Sequence, residues 1–445
     1  MDFKSISVVG LGYVGLPLAL EFAKVGIIVY GIEQNPKKVD MVNKGISYIE
    51  DVKSEELLEV VKKENLKAFV DFKSVSLSDA VIICVPTPLG PHKEPDISYI
   101  VNVTTEISKH LKKDQLIVLE STTYPGTTEE VVLPILEKTG LKGGEDFYLA
   151  FSPERVDPGN KKFTTQDIPK VIGGVNSIST EKASKLYSLV FPKIHKVSSP
   201  KVAEMEKLLE NIYRLVNISF INELAMLCEK MDIDIWEVIE AASTKPYGFM
   251  PFYPGPGLGG HCIPIDPFYL SWKAKEYDYN LRFIELAGEI NDEMPKYIVH
   301  LVMEALNKHK KALNGSKIFV IGVAYKPNIA DPRESPALKI IPLLEKLGGE
   351  VKYHDPFIPE VKIEDKGKKL RLKKSCELNK DVISESDCVL ILTDHDNIDY
   401  KQIFENAKLI VDTRNALRKR GIVVDKRVTI LGVGEENKNR VWKEK

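Results

Sequence analysis

A glycine-rich turn near the amino terminus limits the possible folds of this chain more than any other feature. The apolar run Ser5–Val9 leads into GLGYVG at residues 10–15, and an Ala- and Leu-rich stretch continues to Lys24. A second apolar run, Ile27–Ile32, ends at Glu33. This order predicts a strand, a tight turn, a helix and a second, parallel strand, because glycine allows the sharp turn and close packing of such a unit. The chain is therefore predicted to open with a doubly wound α/β domain.

The same turn has the spacing of a dinucleotide-binding fingerprint. Gly10, Gly12 and Gly15 would let the backbone approach a pyrophosphate at the positive amino terminus of the helix. Glu33, about 20 residues further on, would accept hydrogen bonds from the ribose hydroxyls and repel a 2′-phosphate. The predicted cofactor is therefore NAD rather than NADP, and a tight turn without any ligand is the alternative.

Three further apolar runs extend the α/β pattern. They cover residues 80–85, 115–120 and 147–151. Residues just past the carboxyl ends of parallel strands line the ligand crevice of open α/β sheets. Each residue in that position is a candidate contact for cofactor or substrate and, taken alone, is equally well explained as a capping residue. The candidates are Pro86, Thr87, Glu120, Thr122 and Glu154.

Composition excludes several classes of protein. The 445 residues are enough for two or three domains, and the net charge of −2 provides no basic field for a nucleic acid. No apolar run approaches the roughly 18 residues of a membrane span, and an apolar strand pattern beginning at Ser5 leaves no room for a signal peptide. The five cysteines form no CxxC pair, which argues against zinc or a disulfide framework. These features predict a reduced, cytoplasmic protein that binds neither nucleic acid nor membrane.

From about Pro200 the periodicity changes to that of a long helix. Lys207 and Asn211 lie off its apolar stripe and are four residues apart, so their side chains share one face. A lysine and an asparagine on such a face are ordinarily solvated, and membership of a ligand site is the alternative. A second helical pattern covers about residues 280–309, and an apolar surplus on long helices is typical of subunit interfaces. We therefore expect a homodimer or a higher homo-oligomer.

The stretch FYPGPGLGGHCIPIDP at residues 252–267 is predicted to be a ligand-binding loop. Its four glycines disfavour a helix or a packed strand and suit a backbone that turns sharply or lies against a ligand. The loop contains one thiol, Cys262, with His261 beside it and Asp266 four residues on. We interpret Cys262 as a nucleophile, and a small buried thiol is the alternative.

The carboxyl-terminal third repeats the α/β pattern in a degenerate form. Four apolar runs alternate with helical stretches, at residues 317–322, 350–354, 388–393 and 408–412. Only Gly322 remains of the glycine turn, so a dinucleotide function is predicted to be lost here. Lys326, Arg333 and Arg414 follow predicted strand ends, where cations suit an anion such as a diphosphate. Ordinary surface charge explains each of them equally well.

With these motifs in place, the chain resembles the nucleotide-sugar 6-dehydrogenase family, the group of UDP-glucose and GDP-mannose dehydrogenases. The resemblance runs almost end to end and rests on GLGYVG, VPTP, ESTTYPGT, SPER, KLLEN, GGHCIPIDP and AYKPNIADPRESPA. It implies two Rossmann-like domains with doubly wound parallel sheets, joined by a central helical segment. The implied boundaries are an NAD-binding domain at 1–198, a helical dimerisation segment with the cysteine loop at 199–311, and a UDP-sugar-binding domain at 312–445.

Within this family, the loop around Cys262 resembles that of members acting on UDP-N-acetylhexosamines. The sequence of this loop most resembles that of members acting on UDP-N-acetylglucosamine, with UDP-N-acetylmannosamine and UDP-glucose as alternatives. The implied reaction oxidises the C6 alcohol of the sugar to a carboxylate, with two NAD and one water, for the synthesis of a polysaccharide or a protein glycan.

The resemblance also implies the roles of the catalytic residues. Cys262 would add to the aldehyde intermediate as a thiolate, giving a thiohemiacetal and then a thioester. Lys207 and Asn211 would stabilise the oxyanions, and Lys207 would also favour the thiolate. Asp266 would act as a base or orient water if the segment after Cys262 is helical.

Hydrolysis of the thioester is implied to need Glu154, with Thr122 holding the attacking water. Some UDP-glucose-type members carry a second glutamate four residues after this one, whereas this chain has Pro158 there and Asp157 beside it. Which carboxylate activates the water therefore stays open.

The resemblance extends position by position to residues that bind the ligands, and it implies no metal ligand. The implied cofactor contacts are Gly10, Gly12, Tyr13, Val14, Gly15, Glu33, Pro86, Thr87, Thr122 and Arg333. The implied substrate contacts are Glu154, Arg155, Lys207, Asn211, Tyr253, Gly255, Gly259, Gly260, His261, Tyr325, Lys326 and Arg414.

Two other classes of protein fit parts of the pattern. A two-electron hydroxyacid or phosphogluconate-type dehydrogenase also joins a Rossmann domain to a helical one, but it would have no use for Cys262 and would yield one NADH per substrate. A non-catalytic protein that binds nucleotide sugars would show no turnover with NAD.

Overall fold

The computed structural model describes residues 3–49, 52–90, 93–155, 167–260, 262–364 and 370–437, which form two compact units. The first unit comprises Met1–Glu210 and Phe268–Asn280, and the second comprises Asn211–Pro267 and Leu281–Lys445. The long helix Pro200–Lys230 therefore supplies residues to both units.

The described part of the first unit is built on one sheet of eight strands. They are β1 (Ser5–Val9), β2 (Ile28–Ile32), β3 (Leu66–Phe69), β4 (Ala80–Ile83), β5 (Leu116–Leu119), β6 (Tyr148–Phe151), β7 (Lys170–Gly174) and β8 (Ile194–Lys196). The order is β3-β2-β1-β4-β5-β6-β7-β8, and only β6 and β7 pair antiparallel. The order reverses between β1 and β4, so the carboxyl ends of these two strands mark the expected ligand crevice.

The helices of the first unit cover both faces of this sheet with apolar side chains, which is the usual solution for parallel strands. Helix α2 begins where Asn35 accepts a hydrogen bond from the N–H of Lys37 and Pro36 takes the first helical position. The helices are α1 (Gly15–Lys24), α2 (Pro36–Asn43), α3 (Ser54–Lys62), α4 (Ser98–Ser108), α5 (Leu133–Glu137) and α6 (Ser177–Tyr187).

Four α-helices lie in the described residues between 200 and 309, and two of them are long. They are α7 (Pro200–Lys230), α8 (Ile235–Ser243), α9 (Asp266–Ala274) and α10 (Arg282–Lys308). Asp234 caps α8 by accepting hydrogen bonds from the N–H groups of Trp236 and Glu237. Its carboxylate also forms a buried ion pair with Arg418, which ties the start of α8 to the carboxyl-terminal part of the second unit.

The described part of the second unit contains a five-stranded parallel sheet and an antiparallel pair. The strands are β9 (Lys317–Ile321), β10 (Glu350–His354), β11 (Glu360–Glu364), β12 (Leu370–Lys374), β13 (Cys388–Ile391), β14 (Ile410–Asp412) and β15 (Val428–Ile430), and the helices between them are α11 (Ala337–Lys346), α12 (Lys380–Glu385) and α13 (Tyr400–Asn406). The main sheet has the order β10-β9-β13-β14-β15, and β11 pairs with β12.

The second sheet keeps the turn of a dinucleotide-binding unit but uses its carboxylate differently. The N–H of Gly322 donates to the carbonyl oxygen of His354 at 2.8 Å, as the N–H of Gly10 does to that of Ile32. Asp355 then accepts from the N–H groups of Val323 and Ala324 with one oxygen and from those of Phe357 and Ile358 with the other. A carboxylate that closes its own loop in this way is a poor ribose acceptor, in agreement with the predicted loss of dinucleotide binding.

The sequence-based strands and helices are confirmed, with ends that differ by one or two residues. The prediction of two doubly wound parallel-sheet domains with a helical segment between them in sequence is also confirmed. Among the described residues, no helix combines the length and the apolar character needed to cross a membrane.

Candidate active site

The glycine turn between β1 and α1 forms an open cradle at the start of the helix. Gly10 has φ 93°, which favours glycine. A Cβ on Gly15 would overlap the carbonyl oxygen of Gly10, so Gly15 allows the helix to pack against the turn. A Cβ on Gly12 would meet no atom within 4 Å. The space beside Gly12 therefore fits a pyrophosphate, which the N–H groups at the helix terminus would bind.

Glu33 lies directly after β2, beside this turn. One carboxylate oxygen accepts a hydrogen bond from the N–H of Leu11 at 3.3 Å, and the other accepts from the N–H of Asn35 at 3.0 Å. Each oxygen keeps a second acceptor position, so the carboxylate can still bind ribose hydroxyls. Tyr13 is exposed and Val14 half-buried at the mouth of the turn.

We expect Gly12→Ala to weaken NAD binding by roughly tenfold or more, which is about 1.4 kcal/mol. The added methyl group would enter the space assigned to the pyrophosphate without touching the protein. Calorimetric titration with NAD measures this effect. Gly15→Ala is the matched comparison, since its methyl group would overlap Gly10, and we expect it to lower the melting temperature of the free protein. Unchanged NAD affinity in Gly12→Ala would contradict the placement of the pyrophosphate.

The loops after β4 and β5 are fixed by side chains from the helical part of the first unit. Pro86 is exposed and Thr87 half-buried after β4, and the hydroxyl of Tyr269 donates to the carbonyl oxygen of Thr87. Thr122 is half-buried after β5. These residues lie at the carboxyl edge of the sheet, as the sequence predicted.

Glu204 anchors the segment that follows Thr122. Its carboxylate accepts hydrogen bonds from the N–H of Gly126 at 2.6 Å and from the N–H of Thr128 at 2.9 Å. Burial raises the pKa of Glu204, while these hydrogen bonds oppose the shift. The carboxylate of Glu204 thus binds the N–H groups of the turn at Gly126, and in this way α7 holds the loop in place.

Helix α7 buries polar side chains on one face and exposes apolar side chains on the opposite face. Lys207 and Asn211 are only 7% and 0% exposed, so the interpretation of these residues as solvated is wrong. Glu204 and Asn222 share their face and are also buried. The opposite face carries the apolar stripe, and much of it is exposed, whereas a surface helix normally buries such a stripe. The exposed members are Val202, Met205, Leu209, Tyr213, Phe220 and Leu227.

In the first unit, the buried face of α7 binds the segment that contains Glu154. The ammonium group of Lys207 donates to the backbone carbonyl oxygen of Glu154. The guanidinium of Arg155 forms ion pairs with Glu206 and Glu210 on the same helix. Burial raises the pKa of Glu206 to about 7, and the nearby Glu210 carboxylate adds to the shift. The structure therefore brings Lys207, Glu154 and Arg155 together, as predicted.

In the second unit, Asn211 connects α7 to the segment that contains Cys262. Its Nδ2 donates to Oδ2 of Asp266 at 2.5 Å, and Arg214 donates to its Oδ1. Together these two bonds determine which way the amide points. The N–H of Asp266 donates to the carbonyl oxygen of Cys262 at 2.8 Å, which is a helical turn. Asn211, Asp266 and Cys262 are thus brought together.

The glycine loop of the second unit packs against residues after β9. A Cβ on Gly259 would lie 2.7 Å from Cβ of Tyr325, and one on Gly260 would lie 2.8 Å from its ring. The N–H of Gly260 donates to the carbonyl oxygen of Arg333 at 3.1 Å. Only glycine permits this close approach. As a result, Tyr325 and Arg333 lie beside Gly260, the residue before His261. His261, Asp157 and Pro158 lie outside the described residues.

The start of the same loop approaches Arg414. A Cβ on Gly255 would lie 2.5 Å from Nη1 of Arg414, whose Nε donates to the carbonyl oxygen of Leu392 at 2.9 Å. Burial lowers the pKa of Arg414, although nearby aspartates oppose the shift. Tyr253 is exposed and stacks on Trp236 at 5.9 Å between ring centroids. Lys326 is half-buried after β9.

The sequence patterns did not identify several polar residues that shape these arrangements. Asn222 accepts a hydrogen bond from the N–H of Gly255 at 2.9 Å, and Asn291 accepts one from Leu258 at 2.6 Å. Asn222 follows Asn211 by about three helical turns. The same spacing is typical of a solvated polar face, so it gave no signal of burial, and Arg214 gave none either.

The fold and these residues define a dinucleotide-dependent dehydrogenase, with a nucleotide cradle in the first unit and a thiol on a glycine loop in the second. The chain belongs to the UDP-glucose/GDP-mannose dehydrogenase family. The NAD binding domain of this family matches residues 4–190 of the chain, the central domain matches residues 201–293, and the UDP binding domain matches residues 319–419. NAD is therefore the cofactor, and the predicted family is confirmed.

Known relatives differ in the sugar that their names specify. A UDP-N-acetyl-D-glucosamine 6-dehydrogenase of Pseudomonas aeruginosa is 38% identical over 80% of this chain and 83% of its own length. A UDP-N-acetyl-D-mannosamine dehydrogenase of Methanococcus maripaludis is 37% identical over 94% of both chains. The structure of a UDP-D-ManNAc dehydrogenase from Pyrococcus horikoshii aligns with a TM-score of 0.85, at 32% identity, over 97% of this chain and all of that one.

Proposed function

We propose that this protein oxidises the C6 alcohol of a UDP-N-acetylhexosamine to the uronic acid, with UDP-N-acetylglucosamine as the preferred substrate. The observation that carries this proposal is the Asn211–Asp266 hydrogen bond one helical turn from Cys262. Cys262, Asp266 and Asn211 thus offer a thiol, a carboxylate and an amide donor within one unit. A two-electron dehydrogenase would not need this combination. The names of the relatives support an N-acetylhexosamine, and UDP-N-acetylmannosamine is the alternative.

The thiol is needed because the reaction removes two hydrides from one carbon. NAD, when bound, accepts a hydride in each oxidation. Between them, Cys262 adds as a thiolate to the aldehyde and forms a thiohemiacetal, whose remaining C–H hydrogen can leave as hydride to give a thioester. Asp266 acts as a base or orients water at this centre. Water then releases the acid.

The buried cation and amide of α7 stabilise the oxyanions that form in these steps. Lys207 carries the positive charge, and Asn211 offers the N–H of Nδ2 that Asp266 does not use. Glu154 assists hydrolysis of the thioester, and Thr122 helps to hold the water. Lys326 and Arg414 bind the diphosphate of the substrate, with the loop glycines and Tyr325 against the sugar nucleotide.

The decisive experiment measures NADH formed from a panel of UDP-glucose, UDP-N-acetylglucosamine, UDP-N-acetylmannosamine and GDP-mannose. We expect two NADH per sugar consumed and the fastest turnover with UDP-N-acetylglucosamine. One NADH per sugar with an aldehyde product would favour a two-electron dehydrogenase, and no turnover with any sugar would favour a non-catalytic binding protein. Faster turnover of UDP-N-acetylmannosamine would reassign the epimer.

The exposed apolar stripe of α7 also supports the proposed homodimer, with a second copy of this chain covering it. Leu209 is 58% exposed in the middle of the stripe. We expect Leu209→Arg to convert the protein to a monomer, because a buried interface does not accept an unpaired guanidinium. Light scattering after gel filtration measures the mass. Val238→Arg on α8 is the control for an added surface charge, and a monomeric wild-type protein would refute the proposal.

We place the reaction in the cytoplasm, where NAD is available and thiols stay reduced. All five cysteines are free, which agrees with a reducing compartment.

A further inference from the structure

A buried ion triad lies in the first unit, behind the segment that contains Glu154. Lys170, the first residue of β7, is only 3% exposed. Its Nζ lies 3.2 Å from Oε1 of Glu120 and 3.6 Å from Oε2 of Glu154. Glu120 follows β5 and is also buried. One ammonium group therefore stands between two carboxylates, and the proposed function assigns chemistry to only one of them.

The surroundings of Lys170 are mostly apolar. Its ammonium group lies 5.2 Å from the ring centre of Tyr187 and 5.3 Å from that of Phe191. The hydroxyl of Tyr187 donates to Oε1 of Glu120. Neither Nζ of Lys170 nor Oε2 of Glu120 has a partner with hydrogen-bond geometry among the described residues. A buried ammonium without such bonds is costly, and the carboxylates of Glu120 and Glu154 within 4 Å offset part of that cost.

The charges in this cluster depend on each other. Burial opposes the charged form of Lys170, but the two carboxylates outweigh it and raise the pKa of the ammonium group. Burial raises the pKa of Glu120, although Lys170 opposes the shift. Burial likewise raises the pKa values of the Cys84 thiol and the Tyr187 hydroxyl, so both stay neutral. The lysine is thus the cation of the cluster, and Glu154 is the carboxylate at its open side.

Other contacts already fix the place of Glu154. The N–H of Arg155 donates to its Oε1 at 2.9 Å, and Lys207 binds its backbone carbonyl oxygen. The guanidinium of Arg155 is neutralised by Glu206 and Glu210. Lys170 adds a cation at the other carboxylate oxygen, since its Nζ lies 3.6 Å from Oε2 of Glu154.

We propose that Lys170 is a positioning residue that keeps Glu154 ionised and aimed, so that Glu154 acts as the base of thioester hydrolysis. This inference rests on the proposed function. In the step concerned, the oxygen of water bonds to the carbonyl carbon while one water proton passes to Glu154. The C–S bond then breaks, Cys262 leaves as a thiolate, and the second proton goes to solvent when the product acid ionises.

The test is the pH dependence of kcat in Lys170→Met. Loss of the cation makes Glu154 harder to ionise, so the acid limb of the profile should move up by about one pH unit or more. Hydrolysis should slow while both oxidations proceed, giving a burst of two NADH per active site. Intact-mass measurement should then find the sugar acid bound to the protein as a thioester. Lys170→Arg, which keeps the charge, should restore the acid limb.

Two further variants separate an electrostatic role from a structural one. Glu120→Gln removes the competing carboxylate and should shift the acid limb in the opposite direction, even if Lys170→Met does not fold. Lys182→Met is the control, because Lys182 lies 3.5 Å over the ring centre of Tyr148 in the same unit, and its profile should match the wild type.

Active Lys170→Met and Glu120→Gln proteins with wild-type profiles and no bound thioester would overturn this inference alone. Failure of the wild-type protein to turn over any nucleotide sugar would overturn the proposed function and this inference together.

Discussion

Replacement of Cys262 by serine is expected to lower the rate of uronic acid formation by on the order of 10⁴-fold or more. The first oxidation needs no covalent bond to the protein, so an aldehyde should still form. A serine hydroxyl is a far weaker nucleophile than a thiolate, and the second oxidation has no hydride to remove until something adds to the aldehyde. The variant should therefore stop at one NADH per sugar, with the aldehyde as product.

Rapid-quench product analysis with NADH counting measures this difference, because aldehyde and acid are resolved directly. Cys376→Ser is the control for loss of a thiol in the same unit, since Cys376 is half-buried beside the carbonyl oxygen of Tyr353 and has no proposed role. It should retain wild-type stoichiometry. Two NADH per sugar from Cys262→Ser at a comparable rate would show that the thiol is not the nucleophile.

The strands and helices of the fold could be predicted from the sequence because short-range features of the sequence determine them. The turn needs a positive φ at Gly10 and close packing at Gly15. Any chain with this turn is therefore expected to have glycine at both positions. The same holds for the helical turn between Cys262 and Asp266, which was expected if that segment was helical. These are short-range constraints, and periodicity or glycine spacing reports them.

The environment of the polar residues could not be read in the same way. Lys207 and Asn211 look like solvated residues in a helical pattern, because a helix normally turns its polar face to water. In α7 the polar face is buried, and its partners come from distant loops at Gly126, Glu154 and Gly255. Long-range contacts of this kind leave no periodic signal.

Lys170 illustrates the same limit. It stands at the start of an apolar strand, where a lysine usually marks the solvated end of the element. Its burial depends on Glu120 and Glu154, which come from two other strand ends. The sequence places Glu120 at the sheet edge, but nothing in it connects this residue with a lysine 50 positions later.

Lys207→Met is expected to lower kcat by about 10²- to 10³-fold, which corresponds to roughly 3–4 kcal/mol of transition-state stabilisation. Methionine keeps the unbranched apolar part of the buried side chain and removes the charged end, so the loss should fall on kcat rather than on folding. The deficit should appear in both oxidations, because each passes through an oxyanion that Lys207 is proposed to stabilise. Stopped-flow NADH traces resolve the two steps.

The matched control is Lys201→Met on the same helix. Lys201 lies less than two turns before Lys207, is about half exposed, and pairs with Glu130 at 3.2 Å. An exposed pair of this kind contributes little, so this variant should keep wild-type kcat and melting temperature. A Lys207→Met protein that folds and oxidises at the wild-type rate would show that the buried ammonium only fastens the carbonyl group of Glu154. A loss confined to acid release would instead limit its role to hydrolysis, because oxyanion stabilisation in the oxidations requires that both of those steps slow down.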